Sequence, residues 1–150
     1  MSRLKEFILL NAALPAAEVI SGTCASKWYR RICEMNRWSR EAINEWQNKH
    51  LQAFIKHAYE HTQYYHHLFD ALNIKPDDIK CAKDLKQIPV ITKDIINAHY
   101  DELIPNDLHK MKYRISSSGG TTGIPMRYYC SEDVWGYVTA AKIYYWKKIV

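Results

Sequence analysis

Three of the five glycines in this 150-residue chain fall within ten positions, Ser116-Ser117-Ser118-Gly119-Gly120-Thr121-Thr122-Gly123-Ile124-Pro125. No other stretch concentrates glycine with small hydroxyl residues in this way. Glycine reaches positive φ without a Cβ penalty and lets a backbone approach a ligand closely. Successive N–H groups and Ser/Thr hydroxyls add many donors in a small volume, which suits a phosphate chain. Such a segment has two readings. It is a flexible hairpin of ordinary turn residues, or it is a phosphate loop in which Ser118, Thr121 and Thr122 act with backbone N–H groups. It is not a Walker loop, because no Lys follows Gly123, and no G-x-G-x-x-G follows a strand as a dinucleotide site requires.

The flanks give the segment its setting. Met111 to Ser116 and Met126 to Cys130 read as strands. Ser131, followed by Glu132 and Asp133, caps a helix whose Val134, Val138, Ala141 and Tyr145 fall on one face. That helix reaches Val150 with no Gly, Asn or Pro to close it, which predicts the front piece of something longer.

Ahead of the strands the pattern is helical. Residues 2–11 and 24–36 read as short helices, the second carrying Trp28, Tyr29 and Ile32. Ser39 is an N-cap with Glu41 in the first turn. From there Ile43, Trp46, Leu51, Phe54, Ile55 and Ala58 form an apolar stripe to about residue 59. A further helix covers 63–72, with Tyr65, Leu68, Phe69 and Leu72 on its buried side. Pro76-Asp77-Asp78, Pro89 and Pro105-Asn106-Asp107 punctuate the stretch from there to the first strand, and Thr92 caps a helix over 93–100. The expected partition is a helical region 1–75, a connecting region 76–110 and a phosphate-loop region 111–150.

Composition excludes several classes. The apolar share of 47% and charged share of 25% are ordinary globular usage, and eleven Tyr and five Trp argue against a disordered tail. A net charge of +5 favours anionic ligands without singling out nucleic acid. Cys24, Cys33, Cys81 and Cys130 make no C-x-x-C pair, so a zinc ribbon or redox motif is not expected. Glu6 and Asn11 interrupt the apolar residues near the start, which argues against a signal peptide. No run approaches a membrane span. The cytoplasm is the expected compartment.

Ser118-Gly119-Gly120-Thr121-Thr122-Gly123-Ile124-Pro125 resembles the first nucleotide-binding motif of adenylate-forming enzymes, commonly Ser-Ser-Gly-Thr-Thr-Gly-x-Pro. Its surroundings are similar to the phenylacetate–coenzyme A ligase-like branch, which includes capsular polysaccharide biosynthesis proteins of the CapK type. His57-Ala58 with Tyr64-Tyr65-His66-His67-Leu68-Phe69 is similar to one segment of that branch, and Asp84 through Lys93 to another. After the loop, Pro125-Met126-Arg127-Tyr128-Tyr129 and Tyr145-Trp146 are similar to the CapK-type version. The resemblance is clear from about residue 39 onward. It departs at Gly119, where many relatives carry Ser, at Met126, where many carry a basic residue, and at Gln63, which replaces a Pro. Arg127 stands next to Met126 but would face the opposite side of a strand.

The resemblance implies an α/β fold: the N-terminal part of the large domain of the adenylate-forming fold, mostly helical to about residue 100 and then strand–loop–strand–helix. It implies a ligase that joins a small carboxylic acid to ATP with Mg²⁺, releases pyrophosphate and passes the acyl group to coenzyme A or another acceptor. It assigns Ser118, Gly119, Gly120, Thr121, Thr122 and Gly123 to the nucleotide. In full-length relatives later segments provide the adenine pocket, the magnesium-associated acidic residue and the ribose-binding Asp, so no catalytic residue is assigned and the chain alone is expected to be inactive. The resemblance leaves room for a homodimer. The competing reading is a non-catalytic helical interaction module whose Gly/Ser/Thr segment is only a hairpin.

Two other clusters carry residues capable of chemistry. His57 and His61 stand four apart on a predicted helix, followed by His66-His67, but no H-E-x-x-H occurs and no acidic third ligand is evident. No metal site is assigned on that pattern. Lys27, Arg30, Arg31, Arg37 and Arg40 accompany Trp28, Tyr29 and Trp38, a mixture that reads as a solvated helix face with inward aromatics. Nucleic acid is not an expected partner.

Overall fold

The structure, a computed structural model, describes residues 3–13, 15–16, 18, 24–118 and 125–149. It is mostly helical with one two-stranded antiparallel sheet, an arrangement compatible with the α/β class. The chain divides into two compact units, one of Met1–Trp38 with Lys112–Val150 and the other of Ser39–Met111. Among the described residues no helix is long and apolar enough to cross a membrane.

In the first unit, α1 (Arg3–Ile8) runs into a π-helical turn over Leu9–Ala13, with Leu4, Phe7 and Ile8 exposed. The core of this unit forms between α2 (Ala25–Met35) and the helix Glu132–Ile149 that follows the hairpin. Ala25, Tyr29 and Ala140 are buried there, with Trp28, Ile32, Cys33, Ile143 and Tyr144 packed around them. Tyr29 is 1% exposed, meets Tyr144 edge-on at 6.2 Å and accepts a bond from Lys147 Nζ at 3.4 Å. Trp28 lies edge-on to Tyr137 at 5.5 Å. The two helices thus draw residues from the expected 1–75 and 111–150 regions into one core.

That core corrects the expected face of the last helix. The inward residues are Gly136, Ala140, Ile143 and Tyr144, whereas Val134 and Tyr145 are exposed, Tyr145 at 61%. Small residues win the inward side because they allow close approach. A Cβ built on Gly136 would sit 2.7 Å from Cys24 Sγ and 3.1 Å from the Cys24 backbone carbon and nitrogen.

The second unit is built on α3 (Arg40–His61) and α4 (Gln63–Ala71). Ser39 Oγ accepts the Ala42 N–H at 3.2 Å, as an N-cap should. Ile55, Phe69 and Ile79 form the core, flanked by Leu51, Tyr59, Tyr65, Ile74 and Ile88. Two expected core residues face outward instead: Phe54 is 66% exposed and Leu72 40%. Neither packs against the Ile55–Phe69–Ile79 core.

α3 ends without Gly or Pro. Thr62 turns extended (φ −119, ψ 129), and its hydroxyl donates to the Ala58 carbonyl at 2.7 Å. Side-chain back-bonding of this kind competes with the helix ladder. The Thr62 carbonyl then accepts the His66 N–H at 3.1 Å and starts α4. Asn73 closes α4 in the left-handed region at φ 53, a conformation Asn tolerates better than other non-glycine residues. Asp84 Oδ2 accepts from the N–H groups of Lys80 and Cys81, both at 2.9 Å. These bonds hold its carboxyl below the usual range. Thr92 caps α5 (Lys93–Ala98), shorter than the expected 93–100 because a 3₁₀ turn takes over at Asp101.

Candidate functional site

The expected phosphate loop springs from an antiparallel hairpin. β1 (Tyr113–Ser117) and β2 (Arg127–Ser131) pair in a register from Tyr113↔Ser131 to Ser117↔Arg127. Cross-strand partners share a face and successive residues alternate. One face therefore carries Arg114, Ser116, Tyr128 and Cys130, and the other Ile115, Ser117, Arg127 and Tyr129.

One step beyond the last pair the neck of the loop is closed twice. Ser118 N–H donates to the Met126 carbonyl at 2.9 Å, and Met126 N–H donates to Ser118 Oγ at 3.1 Å. This bond uses a lone pair of the Ser118 hydroxyl and does not consume its proton. Ser118 is thereby placed at the loop mouth, on the face that carries Arg114 and Ser116. Gly119, Gly120, Thr121, Thr122 and Gly123 lie outside the described residues. Met126 is half-buried and Arg127 exposed, on opposite sides of the strand.

The hairpin is anchored from behind. Lys112 C=O accepts the Glu132 N–H at 3.2 Å. Ser131 Oγ accepts the Val134 N–H at 3.3 Å, capping α6 (Glu132–Ile149) as its sequence predicts. Asp133 in the first turn of α6 draws three donors from the start of α2: Trp28 Nε1 at 3.0 Å, Cys24 Sγ at 3.2 Å and Lys27 Nζ at 3.4 Å. Burial pushes the Asp133 carboxyl up, but the Cys24 and Trp28 bonds and the Lys27 charge outweigh it and hold the group below the usual carboxylate range. The Cys24 thiol is pushed up by burial, then by its bond to Asp133 and that residue's charge. It is a protonated donor and a poor nucleophile.

Two residues of the basic cluster near the start have partners within the protein. Lys27 pairs with Asp133, while Arg31 reaches Glu34 Oε2 at 3.3 Å and lies over the Trp38 ring at 4.8 Å. In the second unit, the His57–His61 pair acquires the acidic neighbour that the sequence pattern did not reveal. Asp107 lies beside both rings, and the three form the group of potential metal ligands found among the described residues. The loop Pro105-Asn106-Asp107 was legible as a turn, but nothing local indicated where it would land.

By sequence the chain is similar, over part of its length, to acid–coenzyme A ligases. It is 31% identical to the phenylacetate-coenzyme A ligase of Aromatoleum evansii over 108 residues, 70% of this chain and 24% of that protein. It is 34% identical to the phenylacetate-coenzyme A ligase of Escherichia coli K12 over 91 residues, 58% of this chain and 20% of that protein. The phenylacetate-coenzyme A ligase of Pseudomonas putida is 30% identical over 112 residues, 73% of this chain and 26% of its own length. The chain thus spans about a quarter of the length of these curated relatives. No family model matches it.

Proposed function

We propose that this chain is the N-terminal segment of an AMP-binding domain in an ATP-dependent, carboxylate-activating ligase of the phenylacetate–coenzyme A ligase-like branch. The observation that carries the proposal is the similarity to three phenylacetate-coenzyme A ligases in a chain that also holds a Ser-Gly-Gly-Thr-Thr-Gly loop. The closed Ser118–Met126 neck supports it, since a loop pinned at its mouth presents donors with less reorganisation than a free linker.

In this reading Ser118, Gly120, Thr121, Thr122 and Gly123 hold the β- and γ-phosphates, with Gly119 giving the backbone room. Their fixed N–H and O–H dipoles, aided by Mg²⁺, stabilise charge as pyrophosphate leaves and the acid is joined to AMP. The acceptor is coenzyme A, and the setting is the cytoplasm. The CapK-like residues Pro125–Tyr129 and Tyr145-Trp146 support a role for the activated acid in surface-polysaccharide assembly. The reacting acid is contacted by parts of the enzyme beyond this chain.

The test is carboxylate-dependent exchange of pyrophosphate into ATP by the whole protein that contains this chain. Thr121→Ala/Thr122→Ala should reduce exchange by about 100-fold or more, the scale on which oxyanion-type donors act. Unchanged exchange would remove those hydroxyls from the mechanism. Absence of any exchange with a panel of aromatic and aliphatic acids would favour the non-catalytic module.

A further inference from the structure

We infer that His57, His61 and Asp107 form a binding site for a divalent transition-metal ion of the zinc class, independent of the proposed nucleotide loop. His57 and His61 lie one turn apart on α3, their rings 4.5 Å between centroids, so both imidazoles leave the same helix face. Asp107 arrives from the loop after the 3₁₀ turn Asp101–Leu103. That loop is fixed to the end of the same helix, because Asn106 N–H donates to the His61 carbonyl at 2.8 Å. The carboxylate's place is therefore set by backbone bonding and not by a mobile side chain alone.

The contacts within the trio are at the outer edge of ion-pair range and too long for hydrogen bonds. Asp107 Oδ1 is 3.8 Å from His57 Nε2, and Oδ2 is 3.8 Å from His61 Nδ1. Both exceed hydrogen-bond range. The Asp107 side chain is only 15% exposed, and its Oδ1 is buried without any hydrogen-bond partner. Buried carboxylate oxygens are almost always satisfied, and a missing ion is one of the few reasons for an exception. One ligand atom from each residue falls within 4.8 Å of the others. Donors at about 2.0–2.2 Å from a tetrahedral ion stand roughly 3.3–3.6 Å apart, so a contraction of the three side chains closes the site.

The donor chemistry selects the ion. Two imidazoles and one carboxylate suit Zn²⁺ and its neighbours, whereas Mg²⁺ and Ca²⁺ prefer all-oxygen sets. Three protein ligands leave a fourth position, and His57 and His61, each about a third exposed, leave solvent a way to it. His61 Nδ1 also lies 2.8 Å from Asn106 Oδ1. The same nitrogen faces Asp107 Oδ2, so coordination through it would exchange the Asn106 bond for the ion. The bound ion would fasten the 105–107 loop to the end of α3.

The experiment titrates the full chain with Co²⁺ and then Zn²⁺. The structure predicts one-to-one binding, visible d–d bands of a tetrahedral nitrogen/oxygen site, and displacement of Co²⁺ by Zn²⁺. Asp107→Asn and His57→Gln, checked for fold by far-UV circular dichroism, should each weaken binding by more than about 10-fold, a loss that even outer-shell changes produce at metal sites. In the unaltered protein, Zn²⁺ should shift the ring ¹⁵N resonances of His57 and His61, a readout that needs no variant. Absence of binding, an affinity untouched by both substitutions, or a Co²⁺ spectrum dominated by thiolate charge transfer from the four free cysteines would overturn the assignment.

Discussion

Gly136→Ala sets two physical effects against each other, and the structure decides which wins. Gly136 lies inside α6, where replacing glycine by alanine gains about 1 kcal/mol of helix propensity. Against that, the new Cβ would stand 2.7 Å from Cys24 Sγ and 3.1 Å from the backbone carbon and nitrogen of Cys24. The sulfur can swing away only by giving up its bond to Asp133. The two backbone atoms belong to the N-cap residue of α2, so moving them disturbs the start of that helix. Forcing a methyl group into such a contact costs about 1–3 kcal/mol, so the net effect is a loss of about 1 kcal/mol. Native-state hydrogen exchange of the α6 amides reads this unit separately from the other. The most protected α6 amides should exchange about fivefold faster. Adding Cys24→Ala removes the sulfur clash and leaves the backbone one, so it should recover only part of the loss. Slower exchange in Gly136→Ala, by the amount that propensity alone predicts, would refute the close α2–α6 contact.

Three further tests probe the rest of the molecule and its charges. Phe69→Ala should destabilise the Ser39–Met111 unit by about 3–5 kcal/mol in urea melts, since the ring is 1% exposed. Phe54→Ala, at a residue 66% exposed, should change stability by no more than about 0.5 kcal/mol. The Asp133 carboxyl is held low in the folded state, so its contribution is present above the unfolded pKa and is lost as pH falls from about 3.9 downward. Acid titration of the α2–α6 unit should therefore show a loss of stability in that range that Asp133→Asn lacks. Equal acid sensitivity in the two proteins would remove Asp133 from the account.

Much of the local architecture was legible residue by residue. Ser39, Thr92 and Ser131 act as the N-caps their positions predicted, each accepting an N–H three residues on. Such bonds span a few residues, so local sequence suffices to predict them. The strands and the helices over 25–35, 40–61 and 63–71 also followed from periodicity and punctuation, with ends shifted by a residue or two. The inward face of α6 did not follow. Gly136 and Ala140 add little to an apolar stripe, while Val134 and Tyr145 add much, so periodicity pointed to the wrong side. The face was decided by how closely α2 approaches, and that is a property of two segments about a hundred residues apart.

The candidate sites divide along the same line. The Gly/Ser/Thr segment announced itself because its glycines and hydroxyl residues are written side by side in the chain. The hairpin then added the Ser118–Met126 neck and assigned Arg114 and Ser116 to one face and Arg127 to the other. For the histidines, one helical turn sufficed to pair His57 with His61. Their carboxylate did not show in any local pattern, because a single backbone bond from Asn106 to His61 carries Asp107 to them. Short-range chemistry is encoded in neighbours, but a third ligand brought by a returning loop exists only once the chain has closed on itself.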